Sequence, residues 1–462
     1  MSTLPRAFLQ RLQSILDTDT LLTEEADRWS YGYDNSRRHG LPDAVVLPTT
    51  HERVVAIVKL CNEFGIPMIP RGRGTGTTGA TVPLNGGVVI SLERMNRIVS
   101  THPEDRYMVV EPGVLNKEVQ DTAAACGFFW PPDPTSSAFC SIGGNLAYNS
   151  AGPRAVKYGT PRENVLGLRA VLGNGEELRT GVYTSKGVVG YDFTRLLIGS
   201  EGTLALITEA TLKLTPLPEA RRTLQIIYRD IDSAARAVSA IMAQPVVPYA
   251  LEFIDGNAIH MIRDYSDAYL PDGAAALLMV EVDGRQSELE GAVEAIRQAS
   301  QNEGRIEFNA PQGEAEIQAL WATRKALSPA LRTIAPKKIN EDVVVPVSKI
   351  PRLINGLDEL SSRFGIPIVN FGHAGNGNIH VNLLVNPEDE DEMAAAEACL
   401  QEVFTLVLSL DGTLSGEHGI GLEKQAYVGM ELDATSVNLM HRVKQLFDPN
   451  GLLNPGKLPG NG

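Results

Sequence analysis

The chain has 462 residues and a formal net charge of −15, with 43% hydrophobic, 21% charged and 6% aromatic residues. This length exceeds one ordinary hydrophobic core, so two or three domains are expected, and the composition is that of a folded chain and not a disordered one. The acidity argues against a general nucleic-acid binder and means that an anionic substrate needs deliberately placed positive charge.

From the N-terminus, residues 1–30 read as helical, starting with an amphipathic segment whose interspersed charges distinguish it from a signal peptide. From Asp43 strands and helices alternate. A strand at 44–48 leads to a helix at 50–65 with Val54, Val55, Ile57, Val58 and Cys61 on its apolar positions, then to strands at 66–70, 86–92 and 107–113 and a helix at 116–126. An irregular stretch runs from Pro131 to Gly167, and strands return at 166–173 and 202–216. Pro216 and Pro218 punctuate the end of this half and place a domain boundary after residue 220. Beyond it, 224–230, 274–284, 343–350, 366–371 and 379–385 read as strands, with helices at 232–243, 286–302 and 351–364. That spacing suits an antiparallel sheet covered on one side by helices. The expectation is an α+β chain in three parts: 1–220, 221–415, and a helix-plus-loop segment at 416–462.

The cysteines, Cys61, Cys126, Cys140 and Cys399, form no CxxC pair. They read as reduced thiols of a cytoplasmic protein and not as ligands of an iron–sulfur cluster. No apolar run approaches the ~20 residues that span a bilayer, which leaves at most a peripheral membrane contact.

Gly74, Gly76 and Gly79 spell G-x-G-x-x-G within PRGRGTGTTGA. A Rossmann dinucleotide site also requires a helix opening at the third glycine. Here Pro83, Asn85, Gly86 and Gly87 follow, and no helix fits. The loop can still be a phosphate cradle of backbone N–H groups, with Thr75, Thr77 and Thr78 as further donors, or a plain structural turn. A second segment, 131–153, mixes Ser136, Ser137, Ser141, Asn145, Asn149 and Ser150 with Gly143, Gly144 and Gly152. It suits either the edge of a flavin ring or a surface loop. A third, Gly199–Gly202, reads by itself as a strand-entry turn.

Two compact motifs near the C-terminus hold three of the eight histidines: NFGHAGNGNIHVN with His373 and His380, and GTLSGEHGIG with Glu417 and His418. The spacing 380 − 373 = 7 is not that of a helical pair and fits a turn feeding a strand. Two imidazoles and a carboxylate form a three-ligand set that leaves a position open for substrate, and zinc or another borderline divalent ion suits it. The alternative is a set of ordinary hydrogen-bonded histidines in glycine loops. Glu417 and His418 can face one site only if the backbone turns there, which Gly416 and Gly419 permit. Arg324, three residues after Trp321, reads by residue pattern alone as a helix-surface arginine.

The three glycine segments, in this order and spacing, resemble the FAD-binding domain of the vanillyl-alcohol-oxidase superfamily over roughly residues 40–220. The second half resembles the family's C-terminal FAD-linked oxidase domain, in the branch of D-lactate dehydrogenase, glycolate oxidase flavin subunit and D-2-hydroxyglutarate dehydrogenase. The resemblance implies that Arg71, Gly72, Gly74, Thr75, Gly76, Thr77 and Gly79 hold a pyrophosphate. It implies that Pro132, Ser137, Ser141, Gly144, Asn145 and Ser150 surround the flavin and ribityl chain, that Glu201, Gly202 and Ile207 contact the adenosine side, and that Asn454 approaches the flavin. Covalent attachment through a histidine of the glycine loop is excluded, since none lies between His51 and His102. His373, His380 and Glu417 become metal ligands, His418 the catalytic base, and Arg324 and Asn382 substrate contacts. Lys338 is a further candidate for the substrate, but where relatives acting on 2-hydroxyglutarate place a lysine, this chain has Asn340.

The resulting expectation is an active site between domains, in which FAD bound non-covalently and a divalent metal oxidise a small D-2-hydroxy acid of D-lactate or glycolate type. The metal binds the substrate and lowers its hydroxyl pKa, His418 takes the proton, and hydride passes from C2 to flavin N5. Electrons leave to a quinone, an electron-transfer flavoprotein or another carrier, and a homodimer is compatible. The alternatives are a D-2-hydroxyglutarate dehydrogenase, a metal-independent FAD alcohol oxidase and a non-catalytic subunit.

Overall fold

The computed structural model describes residues 4–263 and 271–457. They form two compact units: Met1–Gly152, Gly159–Leu217 and Glu417–Gly462 in the first, Pro153–Tyr158 and Pro218–Gly416 in the second. Of the segment read separately at 416–462, the part from Glu417 onward groups with the first unit.

The first unit contains two main sheets. In one, strands Ala44–Val46, Val88–Ser91 and Met68–Arg71 are parallel neighbours. Parallel pairing requires a crossover, and the helix His51–Phe64 lies within it. Thr50 caps that helix by accepting from the Arg53 N–H, and Gly65 ends it. Val54, Ile57, Val58 and Cys61 bury against Val88 and Ile90, with Phe8 and Leu12 of the N-terminal helix in the same core. Where continuous helix is expected over 1–30, the chain forms Arg6–Ile15 and Glu25–Trp29 with the short strand Leu21–Leu22 between them. Leu21 and Leu22 instead pair antiparallel with Val46 and Val45, because an open sheet edge satisfies their backbone groups.

The other sheet is antiparallel, in the order Ile98–His102, Tyr107–Val110, Ala205–Lys213, Val165–Leu172, Glu177–Gly181. Trp130 is fully buried in its core and donates from Nε1 to the Asn164 carbonyl. No helix opens at Gly79; turns carry the chain to the strand at Val88. The stretch expected to be irregular contains two short helices, Ile142–Tyr148, capped by Ser141, and Ala155–Tyr158.

The second unit is built on a seven-stranded antiparallel sheet, in the order Arg305–Asn309, Ala220–Tyr228, Ala276–Gly284, Ala250–Asp255, Ile368–Gly372, Asn378–Val385, Lys337–Val344. The strand read at 343–350 runs earlier than expected, because Pro346 cannot donate to the ladder while residues from Lys337 onward pair with 378–385. Helical cover is also not confined to one side. Strand alternation directs Ile227, Leu277, Met279, Ile254 and Phe371 to one face. These residues share a core with Ala258 and Ile259 of the helix Gly256–Ile262 and Leu320, Leu327 and Leu331 of the helix Glu314–Ile334. Among the described residues no helix is long and apolar enough to cross a membrane.

Candidate active site

Two adjacent strands place the histidines. Ile368–Gly372 and Asn378–Val385 pair with Phe371 opposite His380, and the turn of Ala374–Asn376 joins them. His380 projects from the second strand and His373 from the end of the first. Their rings lie 5.3 Å apart at 83°, and the residues are 5% and 7% exposed, His373 first. One ligand atom from each of His373, His380 and Glu417 lies within 4.8 Å of the others. The donor set of two imidazoles and one carboxylate fits a borderline divalent ion.

A residue absent from the sequence reading stands next to His373. Glu252, on the strand Ala250–Asp255, is 1% exposed. It accepts from His373 Nδ1 at 2.5 Å and from Arg324 Nε at 2.6 Å. Burial alone would push its carboxyl up, but the charges of His373 and Arg324 outweigh this and hold it down at about 2. The only available signal was a carboxylate flanked by Leu251 and Phe253 in LEFID.

Arg324 is therefore not a plain surface arginine. It lies on the helix Glu314–Ile334, with its guanidinium 5.0 Å from the centroid of the Phe371 ring. Trp321 anchors the same helix by donating from Nε1 to Glu281 at 2.9 Å. Lys338 and Asn340 alternate along Lys337–Val344, opposite Leu384 and Asn382. Asn382 is fully buried; it accepts from Asn340 Nδ2 at 2.7 Å and donates to the carbonyls of Val369 and His380. Both its N–H groups are thus committed within the sheet.

In the first unit the three glycine segments converge. A Cβ at Gly72 would lie 2.6 Å from Ser141 Oγ and 3.6 Å from the Gly144 nitrogen, so a side chain there would have to displace the Ser141 hydroxyl. Gly74, Thr75, Gly76 and Thr77 are half-buried, and Asn35 donates to the carbonyls of Gly76 and Thr75. Gly79 donates to Asp34. Arg71, expected on a pyrophosphate, donates to the Tyr33 and Ser30 carbonyls and braces the loop. Pro132 accepts from Asn116 through its carbonyl, and Asn116 also donates to Asn145. Ser137 accepts from the Lys117 N–H. Ile207 lies in the strand Ala205–Lys213 opposite Ala170. Asn454 donates to the carbonyls of Ala80 and Glu201, while its buried Oδ1 has no partner among the described residues. A half-buried loop rich in amides beside an unmatched acceptor fits a cofactor with polar groups.

The loop after Gly416 is tied to these segments. Glu417 accepts from the Gly152 N–H at 2.9 Å and, through its carbonyl, from Ser150 Oγ at 3.5 Å. Thr78 Oγ1 donates to the His418 carbonyl, and Leu422 donates to that of Thr78. Glu201, expected at the adenosine side, commits its carboxylate to the N–H groups of Ile420 and Gly421, at 2.6 and 2.8 Å. Burial raises that carboxyl to about 7 despite both hydrogen bonds. Gly202 packs against Pro70 and near Asn454. Gly419 takes φ +80, the turn required after His418.

An FAD-binding domain model matches residues 42–181, and the model described as FAD linked oxidases, C-terminal domain, matches residues 217–458. These two domains define the class as an FAD-dependent oxidoreductase. Within that class, the chain belongs to the FAD-linked oxidase family. It is 39% identical over 434 residues to the glycolate oxidase subunit GlcD of Bacillus subtilis, covering 94% of this chain and 92% of that one. It is 35% identical to a mitochondrial D-lactate dehydrogenase [cytochrome] of Arabidopsis thaliana, covering 98% and 80%. It is 34% identical to a D-lactate dehydrogenase of Anaerostipes hadrus, covering 97% and 96%. A substrate-bound p-cresol methylhydroxylase structure matches with a TM-score of 0.80 at 19% identity, over 99% and 98% of the two chains. The fold is the two-part FAD-binding architecture of the vanillyl-alcohol-oxidase type.

Proposed function

We propose that this chain oxidises a small D-2-hydroxy acid, D-lactate or glycolate first, to the 2-oxo acid, using non-covalent FAD and a divalent metal, with zinc the leading candidate. The observation that carries this reading is the grouping of His373, His380 and Glu417 within 4.8 Å, directly before His418 in the chain. The names of the curated relatives point to the same substrates. The lack of a histidine in the glycine loop supports non-covalent FAD.

FAD supplies the two-electron acceptor, and the metal supplies a Lewis acid for the substrate's oxygens. Arg324 binds the carboxylate, with Lys338 as a second cation. A His418 ring nitrogen takes the hydroxyl proton while the C2–H bond breaks and its hydride leaves for the acceptor. His373, His380 and Glu417 fix the orientation in which this occurs. Electrons then pass to a quinone, an electron-transfer flavoprotein or another carrier.

The test is the visible spectrum of the purified protein before and after anaerobic addition of D-lactate, L-lactate, glycolate and D-2-hydroxyglutarate in turn. Bleaching by D-lactate or glycolate is expected. Flavin bands that none of the four acids bleaches would overturn the substrate assignment, and bleaching by D-2-hydroxyglutarate alone would move it to the dicarboxylate.

A further inference from the structure

We infer that Glu252 is a positioning residue that fixes two groups at once: the ring of His373, so that its Nε2 lone pair is presented to a metal, and the guanidinium of Arg324, so that its fork is presented to the substrate carboxylate. This rests on the metal-assisted reading above and names the device that couples metal to substrate.

The argument starts from hydrogen-bond chemistry. An ionised carboxylate only accepts, so the 2.5 Å contact to His373 Nδ1 puts the proton on Nδ1 and leaves Nε2 as the lone-pair nitrogen. The other Glu252 oxygen takes Arg324 Nε at 2.6 Å, which leaves the two terminal nitrogens as the outward end of the guanidinium. The groups come from three separate elements, Ala250–Asp255, the end of Ile368–Gly372 and Glu314–Ile334, so local sequence does not produce the arrangement. Side-chain exposures of 1% for Glu252, 7% for His373 and 11% for Arg324 mean that all three are largely desolvated. A buried ion pair is weak evidence for stability, because desolvation offsets its attraction. A carboxylate behind a ligating imidazole, by contrast, sets the ligand's tautomer and raises its basicity. The stacking of Arg324 on Phe371 at 5.0 Å supplies the remaining restraint on the guanidinium plane.

The experiment uses the full-length flavoprotein stripped of metal and titrated with zinc chloride against a chelator indicator, in wild type, Glu252→Gln and Glu252→Asp. Glu252→Gln turns one acceptor into a donor facing either His373 or Arg324. Zinc affinity is expected to fall ~10–100-fold. In the same variant KM for the acid that bleaches the wild type should rise at least as much as kcat falls, with flavin content unchanged. Glu252→Asp, too short to reach both partners, should lose metal affinity to a lesser degree, and serves alone if Glu252→Gln does not fold. Wild-type zinc affinity in either folded variant would overturn the inference, even if the melting temperature fell. A wild-type protein that binds no divalent metal would overturn the metal reading itself and this inference with it.

Discussion

His418→Gln is expected to slow substrate bleaching of the flavin by ~10²–10⁴-fold, the usual contribution of a positioned general base. FAD and metal content should stay at wild-type levels. The expectation of an intact site follows from how the loop is held. Thr78 fixes the carbonyl of residue 418, Glu201 fixes the N–H groups of Ile420 and Gly421, and Gly152 fixes the Glu417 carboxylate. None of these bonds uses the His418 side chain, so glutamine removes the base and leaves the backbone in place. Anaerobic stopped-flow absorbance at the flavin band reads the rate, and metal analysis of the same samples reads the occupancy. A variant as fast as the wild type would sink the assignment of the base. A slow variant that has also lost its metal would instead make residue 418 part of the metal's support.

The parts of this site that the sequence carries openly are those written into short glycine-rich motifs. His373, His380 and Glu417 stand out because histidine is scarce in this chain, and the glycines around them signal a backbone folded for a purpose. Glu252 was silent because its partners lie 72 and 121 residues away along the chain, and an acid between apolar neighbours has many bland explanations. The partners of Arg71 and Glu201 were silent for the same reason: the arginine donates to the carbonyls of Ser30 and Tyr33, and the glutamate accepts from the N–H groups of Ile420 and Gly421. Linear spacing cannot show whether a polar head points to a ligand or to the protein. At the level of fold, the α+β pattern and the antiparallel sheet follow from alternation of apolar residues. The strand Lys337–Val344 escaped because KKINED reads as polar until its neighbours are known.

Gly377→Ala is expected to destabilise the second unit by ~3–5 kcal/mol, the range of severe backbone or core lesions, whereas Gly365→Ala should cost only ~1–2 kcal/mol. The two glycines have nearly the same conformation, φ +75 at 377 and +67 at 365. Alanine therefore meets the same left-handed penalty at both. They differ in surroundings. Gly365 caps the helix Ile350–Phe364, and a Cβ there meets nothing within 4 Å. At Gly377 a Cβ would run into the Val345 carbonyl oxygen, and this is backbone that cannot swing aside. The Val345 N–H also donates to the Gly377 carbonyl at 3.1 Å, so the clash pushes against a bond that joins the same two residues. Relief requires the turn to move, and the His373 carbonyl holds that turn by accepting from Asn376 and Asn378 at 3.0 and 3.2 Å. The displacement therefore reaches the histidine pair, and zinc affinity should fall in Gly377→Ala while Gly365→Ala keeps it. Chemical denaturation of the two variants beside wild type, followed by zinc titration of the folded protein, separates the effects. Equal destabilisation at both positions would mean that conformational strain alone governs Gly377 and that the Val345 contact relaxes freely. Unchanged zinc affinity in a destabilised Gly377→Ala would detach the turn from the placement of His373.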